Sequence, residues 1–289
     1  MRRYFAKRNL KKDGYTDLAI ERRRADPRAR GVEYTSRECP AGIWECVRIY
    51  SEEGARDIGR PIGSYHTLNT GRMDLLTDGE IEEGSEAIAR RICETVDELE
   101  IIPDRILVVG LGNEALTPDS VGPKAADNVK PTLHIRDFDE ECFESLGCSE
   151  IAVVKPGVAA KSGVDSSEII RGVSQRLKPD VIFAIDSILT RSTERLGSTV
   201  QISTTGIFAG SGVGNSRSAL TEEALGVPVI SIGVPTVIDS RAFFESGETA
   251  ALSRDEAMLV APKETDEITD AAARMIGGAI NQAFGISPY

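Results

Sequence analysis

Four short runs of the chain are apolar with little or no alternation: Arg105-Ile-Leu-Val-Val-Gly110, Ile151-Ala-Val-Val154, Val181-Ile-Phe-Ala-Ile185 and Val227-Pro-Val-Ile-Ser-Ile-Gly233. Val/Ile runs of this kind mark strands covered on both faces, as in a largely parallel sheet. Helical spacing separates them. Ile88, Ile92, Val96 and Leu99 share one face of a helix that follows Gly84 and stops before Pro103. Further helices are expected over roughly 119–128, 166–177 and 266–283; in the last, Ile268, Ala272, Ile276 and Ile280 recur every fourth residue. Strands alternating with helices predict the α/β class, with a largely parallel or mixed central sheet flanked by helices. Upstream, the segment to about residue 80 is charged and turn-rich. It holds one loosely alternating run, Ile43-Trp-Glu-Cys-Val-Arg-Ile-Tyr50, that suits a half-buried strand. Residues 1–15 have no period and carry Arg2, Arg3, Lys7, Arg8, Lys11 and Lys12 against one acid, Asp13, as a solvated arm does. With no repeat or linker in evidence, one domain with N-terminal additions is the simplest division.

Composition narrows the function classes. The 289 residues carry a net charge of −12, which disfavours nonspecific nucleic-acid binding through a basic surface. No apolar run reaches the roughly 18 residues that span a membrane. The basic start has no apolar h-region behind it, so a cytosolic protein is expected. Five cysteines (Cys39, Cys46, Cys93, Cys142, Cys148) form no CxxC pair, which points to reduced thiols rather than a zinc ribbon or a disulfide framework. A Ser-His-Asp or Cys-His enzyme would have to draw its base from His66 or His134. Neither lies beside a nucleophile motif, and a structural histidine is the plainer reading of each.

In open α/β sheets, ligands bind outside the carboxyl ends of the strands. After the run at 105–109 comes Gly110-Leu-Gly-Asn-Glu-Ala-Leu-Thr-Pro-Asp-Ser-Val-Gly-Pro123. After 181–185 comes Asp186-Ser-Ile-Leu-Thr-Arg191, and after 227–233 comes Val234-Pro-Thr-Val-Ile-Asp239. Gly110-Leu-Gly112 invites a dinucleotide reading, but Ala115 stands where GxGxxG needs its third glycine. Gly210-Ser-Gly-Val-Gly-Asn215 lacks the Lys-Ser/Thr of a P-loop, so a tight turn is the plainer reading. Asp119 and Asp186 are the pair with chemical interest. Two carboxylates brought together can share a proton, one activating water while the other protonates a carbonyl or leaving nitrogen. Spacing alone equally allows Asp119 to cap a helix after Pro118 and Asp186 to end its strand.

These residues stand in a wider set. Gly110-Leu-Gly-Asn113, Thr117-Pro-Asp-Ser-Val-Gly-Pro123, Lys155-Pro-Gly-Val158, Ala184-Ile-Asp186, Arg191-Ser192, Gln201-Ile-Ser203, Gly206 to Asn215, Leu225-Gly-Val-Pro-Val-Ile230 and Gly233-Val-Pro-Thr-Val237 resemble, in order, successive blocks of the germination proteases. The resemblance covers about residues 16–283. It implies an atypical aspartic endopeptidase, with a fold similar to hydrogenase-maturation proteases, that degrades small acid-soluble spore proteins during germination. The implied catalytic residues are Asp119 and Asp186, with Gly110, Gly112, Asn113, Arg191, Gly212, Gly214 and Asn215 shaping the site. The implied enzyme is a self-processing zymogen, because Thr16-Asp-Leu-Ala-Ile-Glu21 resembles the family's substrate cleavage site. Cleavage between Asp17 and Leu18 would divide the chain into a propeptide, 1–17, and a single α/β peptidase domain, 18–289. No cofactor, metal, membrane or direct nucleic-acid partner is implied; a homo-oligomer, typically a tetramer, in the cytoplasm of the forespore or spore core is. The segment from Arg241 to Met258 is shorter than in bacillus-type members, and Ser187 stands where alanine is expected.

Two other readings compete. A metal-dependent peptidase resembling hydrogenase-maturation proteases would use the acid after the Gly-x-Gly-Asn turn as a ligand, but their further histidine has no obvious counterpart here. A catalytically silent spore protein that only binds its partners would have no need of both aspartates.

Overall fold

The computed structural model describes residues 16–207, 219–243 and 258–286. The first half of the chain runs α1 (Ala19–Ala25), β1 (Val32–Cys39), β2 (Gly42–Ile49), α2 (Glu52–Ile58), β3 (Gly63–Asn69), α3 (Asp78–Glu98), β4 (Arg105–Gly110), α4 (Val121–Asn128), α5 (Leu133–Phe138) and α6 (Glu140–Leu146). Then follow β5 (Glu150–Val154), α7 (Ala159–Ser162), α8 (Ser166–Leu177), β6 (Val181–Thr190), β7 (Thr199–Ser203), α9 (Glu222–Leu225), β8 (Val229–Asp239), β9 (Leu259–Val260) and α10 (Thr265–Ala283). The strands make one sheet in the order β1-β2-β3-β7-β8-β6-β4-β5, with β9 added beside β8.

The sheet has two halves. The four apolar runs become β4, β5, β6 and β8, joined by parallel pairings of β4 with β5, β4 with β6 and β6 with β8. From β8 outward, β7, β3, β2 and β1 pair antiparallel. β8 is therefore the seam, parallel to one neighbour and antiparallel to the other. Of the antiparallel half, only β2 has an apolar signal in the sequence.

Alternate residues of each strand feed opposite layers. Ile106 and Val108 face the layer of α3, α4 and α10, where they join Ile88, Ile92, Ile276 and Ile280. Leu107 and Val109 face Ile170 of α8. Each such fully buried side chain contributes roughly 1.5–3 kcal/mol. A third cluster continues that second face: Leu18, Ala19 and Ile20 pack with Val47, Ile49, Ile58 and Tyr65. Trp44 of β2 lies in the first layer, so this strand buries residues on both sides rather than one.

Two boundaries differ from the sequence pattern. α3 begins at Asp78, before Gly84, because Thr77 and Glu80 form a reciprocal capping box at its start. Its buried stripe ends at Val96, and Leu99 is the exposed C-cap. β6 and β8 each run past their apolar stretch because they continue to pair with each other as far as Thr190 and Ile238, with an irregularity between Ile188 and Leu189.

Candidate active site

β4 ends at Gly110, whose partner is Ile185, and the Leu111 N–H still donates to the Ile185 carbonyl at 2.8 Å. Asp186 is thus the next residue of β6 beyond the reach of β4. It lies inside its strand rather than after it, yet at the carboxyl edge of the parallel half. Only 6 % of it is exposed, and its Oδ1 accepts from the Ser187 N–H at 2.9 Å. On its face of the sheet is a cavity of about 40 Å³, lined by Asp17, Arg60, Tyr65, Asp186, Gln201 and Gly233 among others. That is room for about one water molecule. A larger cleft of about 900 Å³ lies at the opposite end of the strands, among Arg105, Glu150 and Lys178, and holds none of the candidate residues.

Asp119 ends a 3₁₀ turn, Thr117–Asp119, in the loop between β4 and α4. It does not line the small cavity. The Asn113 N–H donates both to the Asp119 carbonyl, at 3.0 Å, and to its Oδ2, at 2.9 Å, which closes the loop on itself. Gly112 makes the closure possible: its φ is +120°, and a Cβ there would fall 2.1 Å from the Asp119 carbonyl oxygen. The N-cap of α4 is Ser120, and it makes no side-chain cap bond. Thr236, the extra residue where the β6–β8 register shifts, donates through Oγ1 to the Pro118 carbonyl at 2.6 Å. A bulge that re-aims a side chain beside a site is common; here it ties the Asp119 loop to β8. Asp119 and Asp186 therefore sit at the carboxyl ends of neighbouring parallel strands.

The N-terminal segment lies across this edge. The Asp17 N–H donates to the Leu189 carbonyl at 2.8 Å, so the segment lies alongside the end of β6. Arg60 Nη2 donates to the Thr16 carbonyl at 2.9 Å and to Asp17 Oδ1 at 3.1 Å. Gln201 reaches the backbone on both sides of Leu18: Oε1 accepts from the Ala19 N–H at 2.9 Å, and Nε2 donates to the Asp17 carbonyl at 3.4 Å. Glu21 Oε2 accepts from the Arg191 N–H at 2.9 Å, and its Oε1 from Thr190 Oγ1. Burial pushes the Tyr65 phenol up to about 12, against the opposing Thr205 hydrogen bond and the charges of Arg60 and Arg22, so the cavity wall stays protonated. Its hydroxyl donates to the Pro61 carbonyl and accepts from Thr205.

Of the other residues singled out in the sequence, Gly110 closes β4 and Arg191 contributes its backbone to Glu21. Gly212, Gly214, Asn215 and the arm 1–15 lie outside the described residues. His134 is exposed on α5, at the amino end of the sheet, where the Thr132 N–H meets the Ile151 carbonyl. His66 is buried in β3. Among the described residues, no three of His, Cys, Asp and Glu form a group that could hold a metal ion. Arg60 and Gln201 went unnoticed as site residues. Arg60 sits in a charged turn with no motif. Gln201, a long amide inside Thr199-Val-Gln-Ile-Ser203, carried a usable signal: a buried strand spends an amide only where something must be hydrogen-bonded.

Set beside known proteins, this α/β chain falls among the peptidases. Residues 15–247 match the germination protease family, and the chain belongs to that family. The germination protease of Clostridium acetobutylicum is 32% identical over 308 aligned positions, covering 93% of this chain and 94% of its own. That of Caldanaerobacter subterraneus subsp. tengcongensis is 38% identical over 237, covering 78% and 69%. That of Priestia megaterium is 42% identical over 191, covering 66% and 51%. Among solved structures, the [NiFe] hydrogenase maturation protease HycI of Thermococcus kodakarensis KOD1 is similar with a TM-score of 0.38 and 16% identity, covering 66% of this chain and 99% of its own.

Proposed function

We propose that this peptidase degrades small acid-soluble spore proteins during germination, and that it is a zymogen that processes itself between Asp17 and Leu18. Asp119 and Asp186 act as its catalytic pair. In this reading one carboxylate takes a proton from water as the other, protonated, supplies one to the leaving nitrogen; a pair of neighbouring carboxylates keeps one shared proton because both cannot ionise cheaply. The enzyme works as a homo-oligomer, a tetramer, in the spore core. The observation that carries the reading is the position of Thr16–Glu21: a stretch resembling the family's cleavage sequence lies against the sheet edge, and its Asp17 shares a cavity with Asp186.

The basic arm ahead of this segment favours the same reading, since the residues that follow it carry a net charge of −17 and attract it. That attraction weakens as carboxylates protonate or salt rises. The test is N-terminal sequencing of the full chain after incubation at mildly acidic pH. A new terminus at Leu18, absent in Asp186→Asn, is the expected result. An intact Met1 terminus in a chain that already cleaves a small acid-soluble spore protein would show that the arm is no propeptide.

A further inference from the structure

Gln201, Gly233 and Asp186 lie in one row across three strands. Gln201 of β7 is the register partner of Gly233 in β8, and Gly233 is the partner of Asp186 in β6. Residues in register project to the same face, and all three line the same cavity. Two strand spacings put the outer Cα atoms roughly 10 Å apart. The residue between them is glycine, and a Cβ there would meet Ile188 Cδ1 at 2.9 Å. The row is therefore two polar side chains on either side of a glycine over which Ile188 packs, and the backbone of Asp17–Ala19 is held by one of them.

We infer that Gln201 is a catalytic residue of the peptidase, the donor that stabilises the oxyanion formed at the carbonyl of the bond being cut. The inference rests on the proposed self-cleavage. The carboxamide has the right polarity for both its contacts: Oε1 holds the Ala19 N–H while Nε2–H points at the Asp17 carbonyl oxygen. At 3.4 Å the second bond is long, as catalytic hydrogen bonds often are before the transition state. When a water oxygen bonds to the Asp17 carbonyl carbon, one water proton passes to a carboxylate and the carbonyl oxygen becomes negative. The bond from Nε2–H then shortens onto that charge. The C–N bond breaks as the Leu18 nitrogen takes a proton, leaving a carboxylic acid group at 17 and an amine at 18. Gln201 is only 7 % exposed, so its donor works in a nearly water-free setting, where it counts for most.

The same row gives specificity. The Asp17 carboxylate meets Arg60 with one oxygen and accepts from the Leu189 N–H with the other, so an acid before the cut is read by charge and by a backbone donor together.

The test is the first-order rate of self-cleavage of the full chain, compared with Gln201→Glu and Gln201→Met. Gln201→Glu keeps the shape and the acceptor for Ala19 but loses the N–H donor. Removal of one such donor lowers the rate on the order of 100-fold. Hydrogen exchange at Leu18–Ile20, measured on wild type and Gln201→Glu, is expected to stay as slow in the variant, which keeps the acceptor for Ala19. The Glu variant should also regain rate relative to wild type as the pH falls, because a protonated carboxyl can donate again. Wild-type cleavage rates in both variants would overturn the inference. So would a slowed Gln201→Glu variant whose residues 18–20 exchange freely, since Gln201 would then only hold the segment. If wild type cuts neither itself nor a peptide spanning residues 12–25, it is the proposed function that falls, and this inference with it.

Discussion

Asp17 and Leu189 bind each other reciprocally: the Asp17 N–H donates to the Leu189 carbonyl at 2.8 Å, and the Leu189 N–H donates to Asp17 Oδ2 at 2.9 Å. The second carboxylate oxygen goes to Arg60, whose side chain is 10 % exposed. A carboxylate so placed is specified by position, and a neutral residue would leave a backbone donor and a guanidinium facing each other without it. Asp17→Asn and Arg60→Gln should each destabilise the chain by roughly 2 kcal/mol, with a coupling of about 1 kcal/mol or more in the double mutant. Urea unfolding of the four proteins measures it; strict additivity would mean the ion pair contributes nothing.

Asp119→Asn and Asp186→Asn should each reduce cleavage to below about 1 % of wild type, with the double variant little worse, as for residues acting in one step. Circular dichroism should show all three folded. EDTA should leave wild-type activity intact. Its loss on chelation, with recovery on adding zinc or nickel, would favour a metal-dependent peptidase over the aspartate pair.

Burial, aided by the charges of Arg91 and Arg48, pushes the His66 imidazole down from 6.5 to about 4. The unfolded chain then binds a proton that the folded one refuses between those values. Stability from this source is complete above about pH 6.5 and falls as the pH drops toward 4, by roughly 3 kcal/mol in all. His66→Leu should flatten that part of the stability–pH curve. An unchanged slope in the variant would assign the acid sensitivity elsewhere.

Glu45 and Arg195 meet at 2.5 Å with side chains 5 % and 4 % exposed. Burial works to raise the Glu45 carboxyl, but the bond and charge of Arg195, with Tyr34 and Arg24, outweigh it and hold it below its ordinary 4.5. Its contribution is therefore present above about pH 4.5 and is lost as the pH falls through the lowered value. Glu45→Gln should cost about 3–5 kcal/mol by stranding Arg195, and Glu45→Leu with Arg195→Met should recover much of it. Thermal and urea unfolding distinguish the two outcomes.

The parallel half of the sheet was legible because each of its strands is buried on both faces, and that burial writes an unbroken apolar run such as Ile106–Val109. β1 was not legible: Val32–Cys39 is an edge strand, mostly exposed, and its residues Glu33, Thr35, Ser36 and Arg37 carry no hydrophobic signal. β3 and β7 hold Ser64, His66, Thr67, Thr199 and Gln201, polar residues buried in a sheet, where pattern reading expects apolar ones. The positions of Asp119 and Asp186 followed from the rule that sites form at carboxyl ends of strands. Arg60 and Gln201 come from the antiparallel half, whose placement beside β8 no local pattern announces.

The contact between Asp17 and Leu189 spans 172 positions of chain. A ribosome working at roughly 5–20 residues per second makes the first of these on the order of 10 s before the second. During that interval this segment can meet Val47, Ile49, Ile58 and Arg60 but not its partners in β6, β7 and β8, which do not yet exist. A truncated or stalled product never acquires that resting place. Any trimming that depends on it is confined to chains whose translation has passed Gln201 and whose two half-sheets have joined, so the first residues made are among the last to find their partners.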